Sequence, residues 1–140
     1  MANTYTSLTV HIVFSTKGRE PWIHAGIEQA IWGCLATIAR RHGMVVHAVG
    51  GADDHVHLLL GLPATMALSR AVQLLKGGSS RWVHEALAGL EGFAWQDGYG
   101  AFSVSRALRD EAVRYVLRQR EHHRLVSWPA EAQDLAVAAT

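Results

Sequence analysis

"MVVHAVGGADDHVHLLLGL", residues 44–62, reads as two extended runs joined by a short acidic turn, and this hairpin decides the fold. Residues 44–51 form one strand, Ala52 to Asp54 the turn, and residues 55–62 the next strand. Side chains alternate in an extended chain, so His55, His57 and Leu59 point one way and Val56, Leu58 and Leu60 the other. Two imidazoles on one face of a core strand mean either packing or a metal site. The hairpin alone leaves both open.

Outward from the hairpin, "SLTVHIVFST" (7–16) alternates Leu8, Val10, Ile12 and Phe14 against Thr9, His11 and Val13, as a half-buried strand does. A basic loop with Gly18 and Pro21 follows. Ile27, Ile31, Cys34, Leu35 and Ile38 then keep helical spacing, and Gly43 is a natural left-handed stop. Beyond Pro63, Thr65 is placed to cap a second helix with Leu68, Ala71, Val72, Leu75, Trp82 and Val83 on its apolar stripe. Gly77 and Gly78 weaken that helix by about 1 kcal/mol each, so a kink is expected there. Residues 89–98 read as loop, "YGAFSVS" (99–105) as a fourth strand, and Ser105 as the cap of a last helix running to about His122. The order strand, helix, strand, strand, helix, strand, helix predicts an α+β domain. It is a ferredoxin-like or RRM-like antiparallel sheet with helices on one face, plus an added C-terminal helix carrying Tyr115. One domain over residues 1–128 is expected, with an Ala-rich tail over 129–140.

Composition narrows the class. With 140 residues, 49% hydrophobic and 18% charged, the chain is a globular domain with a real core. No apolar run is long enough to span a membrane and no leader pattern opens the chain, so a cytoplasmic protein with no membrane partner is expected. A single cysteine, Cys34, agrees with a reducing compartment. A net charge of +1 argues against coating nucleic acid by bulk electrostatics. Six arginines (106, 109, 114, 118, 120, 124) against Asp110, Glu111 and Glu121 form a local basic stretch, which a solvated helix face explains equally well.

On the last helix Val113, Val116 and Leu117 define a buried side, and Tyr115 falls roughly 150° from its centre. Gln119 lies one turn on, sharing the face of Tyr115, as does His122. Taken alone, Tyr-x-x-x-Gln is an exposed aromatic beside a polar residue. Combined with His55 and His57, it makes a site. Two imidazoles and an amide oxygen suit Mg²⁺ or Mn²⁺ with open positions for water and phosphate, rather than a closed structural zinc. A tyrosine one turn from such a ligand reaches a phosphorus bound there; with an ordinary pKa of about 10, it needs a metal or base beside it.

Several segments then resemble one family. "DHVHLLLGL" (54–62) resembles the His-hydrophobic-His motif of HUH endonucleases. "FAWQDGYGAFSVS" (93–105) followed by "AVRYVLRQREHHR" (112–124) resembles the single-tyrosine transposases of small bacterial insertion sequences, relatives of the REP-associated tyrosine transposases. "HIVFSTKGRE" (11–20) and "GLPATMALSRAVQLLKGGSSRWV" (61–83) fit the same family, so the resemblance spans roughly residues 5–125. It implies that His55, His57 and Gln119 bind the divalent metal and that Tyr115 is the nucleophile. It implies cleavage and rejoining of single-stranded DNA with hairpin ends through a 5′-phosphotyrosine, by a homodimer in which one subunit's tyrosine helix can complete the other's metal site. It also implies DNA-backbone contact by Lys76 and Arg81, for which ordinary surface charge is the equal alternative.

Other residues carry balanced readings. His11 shares the face of the histidine pair and reads as a satisfied sheet histidine. Asp54 either orients His55 or forms the turn. His122 and His123 read as a solvated helix end. The tryptophans (22, 32, 82, 95, 128) read as core and loop anchors rather than stacking platforms. "KGGSS" (76–80) lacks the residue order of a phosphate loop. The rival function is a non-catalytic hairpin-binding protein on the same fold. A metal phosphodiesterase using water is a third reading, although a second His-x-Ser/Thr motif is absent.

Overall fold

A computed structural model describes residues 3–122, with side chains placed as far as Arg120. His123, Trp128 and the 129–140 tail lie outside the described residues, and so does the side chain of His122. The elements are β1 (Thr9–Ser15), α1 (Glu28–Arg41), β2 (Val45–Ala52), β3 (His55–Gly61), α2 (Leu68–Ala86), β4 (Gly100–Ser103), α3 (Arg109–Leu117) and α4 (Gln119–His122). The strands form one antiparallel sheet in the order β2-β3-β1-β4. That is the ferredoxin-like arrangement expected from the order of elements.

The period-2 pattern of β3 sorts the two faces. Val56, Leu58 and Leu60 join Ile12 and Phe14 in a core covered by Ile31, Leu35 and Ala39 of α1 and Ala71, Val72, Leu75 and Val83 of α2. His55, His57 and Leu59 point the opposite way, in register with Ser15, Val13 and His11 of β1. On this second face Ala48 and Leu59 meet Val116 of α3, flanked by Val104, Ala112, Val113 and Tyr115. β1 is therefore buried on both faces, with His11 and Val13 as enclosed as Ile12 and Phe14. The half-buried reading of β1 is corrected by the added helix, which covers the face that would otherwise be open.

Helix ends depart from the sequence reading in three places. Neither Thr65 nor Ser105 caps a helix: α2 begins after Ala67 with no side-chain cap, and Ser105 precedes a short 3₁₀ turn (Arg106–Leu108). The Gly77–Gly78 kink does not occur, because α2 runs unbroken and Gly78 packs against α1, where a Cβ would lie 2.8 Å from Ile38 Cδ1. The last helix is not continuous to His122; it stops at Arg118 and restarts as the four-residue α4. Gly43 does stop α1 in the left-handed region, at φ +80°. Trp32 and Trp95 are buried and Trp22 and Trp82 pack on the core as anchors. Among the described residues no helix is long and apolar enough to cross a membrane.

Candidate active site

The covered sheet face brings four of the residues singled out in the sequence into one cluster. His55 and His57 are fully buried, their ring centroids 5.0 Å apart. Tyr115 of α3 sits edge-on to His57 at 5.7 Å, and Gln119 of α4, only 1% exposed, reaches His55. Tyr115 is thus half-buried against the sheet and not on an outward face, whereas Leu117, expected inside, is 63% exposed. The stripe that meets the sheet is Ala112, Val113, Tyr115 and Val116, and Gln119 continues it.

Hydrogen bonds settle how each group is presented. Burying an imidazole or amide without partners costs roughly 1–3 kcal/mol per group, so such groups are tied down. His55 Nδ1 lies 2.8 Å from Asp54 Oδ1. A carboxylate only accepts, so the ring carries a proton on Nδ1. Gln119 Nε2 donates to the Tyr115 carbonyl at 3.1 Å, which turns Oε1 toward His55 Nε2 at 3.3 Å. Flipping the amide would set Oε1 against that carbonyl oxygen. His57 Nδ1 lies 2.7 Å from Nε2 of His11, a third buried imidazole whose ring is also edge-on to Tyr115 at 5.9 Å.

Two imidazole nitrogens and an amide oxygen are donors that could hold a divalent cation. Nε2 of His55 and Oε1 of Gln119 face each other at 3.3 Å, where a cation could take the place of the hydrogen between them. Two ligands at 2.0–2.1 Å on an octahedral ion stand about 3 Å apart, close to the spacing here. Among the described residues no three His, Cys, Asp or Glu side chains group for a metal.

Comparison with known proteins places the chain in a family. Residues 4–119 match the family model described as "Transposase IS200 like". The chain belongs to that family. The IS200-like chain is 28% identical over 91 residues to the transposases for insertion sequence element IS200 of Salmonella typhimurium LT2 and Salmonella typhi. That match takes in 65% of this chain but 60% of the length of those relatives. A crystal structure of a Deinococcus radiodurans R1 protein assigned as a transposase superposes with a TM-score of 0.71 at 26% identity, covering 86% of this chain and 96% of that one. The structure of a REP-associated tyrosine transposase bound to a REP hairpin superposes at 0.64 over 100% of this chain and 87% of that chain. At 17% identity it speaks for the fold.

The two basic residues lie elsewhere on the IS200-like chain. Lys76 is occupied: its Nζ donates to the carbonyls of Gln96 at 2.7 Å and Gly98 at 2.5 Å and stands 5.2 Å over the Phe14 ring. Burial draws its pKa below the ordinary lysine value, with Asp97 pulling the other way. Arg81 is exposed on α2, lining an open groove with Cys34, Arg41 and Trp82 in the helical layer, across the sheet from the histidines.

Sequence reasoning counted Arg120 only within a basic stretch and gave His11 and Asp54 too little weight. Arg120 donates from Nε and a terminal nitrogen to Glu28 Oε2 at 3.0 and 2.8 Å, and from its other terminal nitrogen to Asp53 Oδ1 at 2.5 Å. It also donates to the Ile23 carbonyl at 3.2 Å. It fastens α4 to the β2–β3 turn and to the start of α1, directly after Gln119. A signal for His11 was available, since its place in β1 puts it on the face of the histidine pair.

Proposed function

We propose that this chain is a DNA transposase that cuts and rejoins single-stranded DNA through a covalent bond to Tyr115. The observation that carries the reading is the convergence of Tyr115, His57, His55 and Gln119 in one buried cluster, the tyrosine ring 5.7 Å from that of His57. A nucleophile beside two imidazoles and an amide oxygen is what metal-assisted phosphoryl transfer without a bound nucleotide asks for.

In this reading His55, His57 and Gln119 hold Mg²⁺ or Mn²⁺, which supplies positive charge against the charge developing on the phosphoryl oxygens. The Tyr115 phenol gives up its proton and its oxygen attacks the backbone phosphorus. The bond from phosphorus to the 3′ oxygen breaks, and that oxygen takes up a proton as a 3′-OH. The 5′ phosphate stays on the tyrosine, so the phosphodiester energy is conserved and a second 3′-OH can reverse the step. Packing of Tyr115 between His11 and His57 restricts its ring, so little orientation remains to be fixed at the moment of attack. The substrate is single-stranded DNA with hairpin ends, in line with the REP hairpin bound by the fold relative. The working form is a homodimer, each copy with its own tyrosine beside its own histidines.

The test is a hairpin-ended single strand incubated with Mn²⁺ or Mg²⁺ and the protein, then run on a denaturing gel. A covalent protein–DNA adduct is expected, absent with Tyr115→Phe and with chelator. Cleavage that survives Tyr115→Phe points to water as nucleophile. Binding without any adduct or cleavage points to a hairpin-binding protein.

A further inference from the structure

Beyond packing on Tyr115, His11 takes no part in the chemistry above, yet it is buried in the middle of β1 with 5% of its surface exposed. Its Nε2 stands 2.7 Å from His57 Nδ1, and its ring lies edge-on to Tyr115 and to Phe102. A neutral imidazole has one N–H donor and one acceptor nitrogen, so a contact this short requires one ring to donate and the other to accept. With Nδ1 bonded to His11, a metal can take His57 only through Nε2. That nitrogen must then carry the lone pair, which places the His57 proton on Nδ1 and makes His11 Nε2 the acceptor.

The same logic already holds for the other histidine of the pair. Asp54 accepts from His55 Nδ1 and leaves Nε2 as the donor atom that faces Gln119. We infer that His11 is a positioning residue that does for His57 what Asp54 does for His55, holding its ring angle and fixing Nε2 as the lone-pair nitrogen. The inference rests on reading His57 as a metal ligand. Chemistry explains why the two supports differ. Asp54 sits on the hairpin turn with 27% of its side chain exposed, where a carboxylate keeps part of its hydration. His11 is in the sheet interior, where a second carboxylate would be buried without a cation of its own. An imidazole offers the acceptor without the charge.

Two variants and one spectrum test this. His11→Gln keeps an uncharged acceptor at similar reach, and His11→Leu keeps bulk without an acceptor. Mn²⁺ alone, titrated and followed by the electron paramagnetic resonance of the free ion, is expected to bind His11→Leu roughly 10- to 100-fold more weakly than wild type, the usual effect of removing a residue that supports a ligand. His11→Gln is expected to keep most of the affinity. Long-range ¹H–¹⁵N spectra of metal-free wild type are expected to show His57 protonated at Nδ1 and bare at Nε2, a readout that needs no variant to fold. A proton on His57 Nε2, or a folded His11→Leu that binds Mn²⁺ as wild type does, overturns the inference. Wild type that takes up no Mn²⁺ overturns the metal reading by itself, and the spectrum still decides the role of His11.

Discussion

Gln119 Oε1 faces His55 Nε2 at 3.3 Å, its amide held in that orientation by the Nε2 bond to the Tyr115 carbonyl. Gln119→Leu removes both bonds from a buried site and is expected to lower the thermal midpoint of the metal-free protein, a loss of about 1–2 kcal/mol. The same change is expected to weaken Mn²⁺ binding by at least about tenfold, the lower end of what even a supporting residue costs. Gln119→Glu, which adds a charge to the donor, is expected to tighten Mn²⁺ binding. Melting curves and Mn²⁺ titrations check both directions, and unchanged affinity in both variants would remove Gln119 from the donor set.

Gly50 is where the tyrosine helix touches the sheet. A Cβ there would lie 2.2 Å from the Val116 carbonyl oxygen, so α3 must move before any side chain fits. Val116 sits between Tyr115 and Gln119, and a shift of the helix moves both. Gly50→Ala is expected to cost about 1–3 kcal/mol of stability, as overpacking does. Adduct formation is expected to fall about 100-fold, the scale of an ångström's misplacement. The core on the opposite face keeps the sheet folded, so circular dichroism should be close to wild type while the adduct assay is not. An active Gly50→Ala protein would mean that α3 does not need this contact.

The sheet was legible in the sequence because strand alternation is strict: one glance at residues 55–60 separates His55 and His57 from Val56, Leu58 and Leu60. The tyrosine helix was less so. Its inner face carries Tyr115 and Gln119, polar groups that a hydrophobicity pattern assigns to solvent, and Leu117 on the outside drew the stripe away from them. Arg120 was out of reach for another reason. Its partners Asp53 and Glu28 lie 67 and 92 residues away, and no local pattern joins them. Lys76 looked like surface charge because the carbonyls that hold it belong to a loop about 20 residues further along.

Lys76 and Arg81 should therefore separate experimentally. Lys76 holds two carbonyls of the loop before β4, and hydrogen bonds to a charged group are worth about 1.5–3 kcal/mol each at most. Lys76→Met is expected to lower stability by about 1–2 kcal/mol on that scale. The salt dependence of DNA binding should stay unchanged, since the ammonium is already engaged. Arg81→Ala, on the helical layer, is expected to leave both stability and adduct yield near wild type. A reduced salt slope in either variant, measured by titration at several ionic strengths, would restore it as a backbone contact.

His47 gives the fold an acid-side weakness. It is the residue at the irregularity in β2, between Val46 and Ala48, and both burial and the nearby Arg109 guanidinium lower its pKa from 6.5. The unfolded chain thus binds more protons than the folded one between the folded value and pH 6.5, and the free energy of unfolding rises with pH across that window. Stability is complete above the unfolded value and falls as the medium is acidified through it. His47→Gln is expected to flatten this part of the curve. Thermal midpoints of both proteins from pH 5 to 8 decide it, and parallel curves would assign the acid sensitivity to other groups.

Arg120 is expected to matter more to the site than to the fold. Its side chain is 36% exposed and Asp53 50%, so water screens the ion pairs and their loss should cost about 1 kcal/mol or less of global stability. The helix it fastens has four residues, too few to be stable in isolation. Without the guanidinium bridging Glu28, Asp53 and the Ile23 carbonyl, α4 has lost its anchor and Gln119 its fixed approach to His55. Arg120→Ala should therefore melt within a few degrees of wild type, yet bind Mn²⁺ roughly 10- to 100-fold more weakly. Arg120→Lys should recover little of that loss, because one ammonium cannot reproduce a planar fork bonded to three partners. Equal Mn²⁺ affinity in wild type and Arg120→Ala would show that the α3–sheet contacts at Gly50 and Val116 suffice to place Gln119.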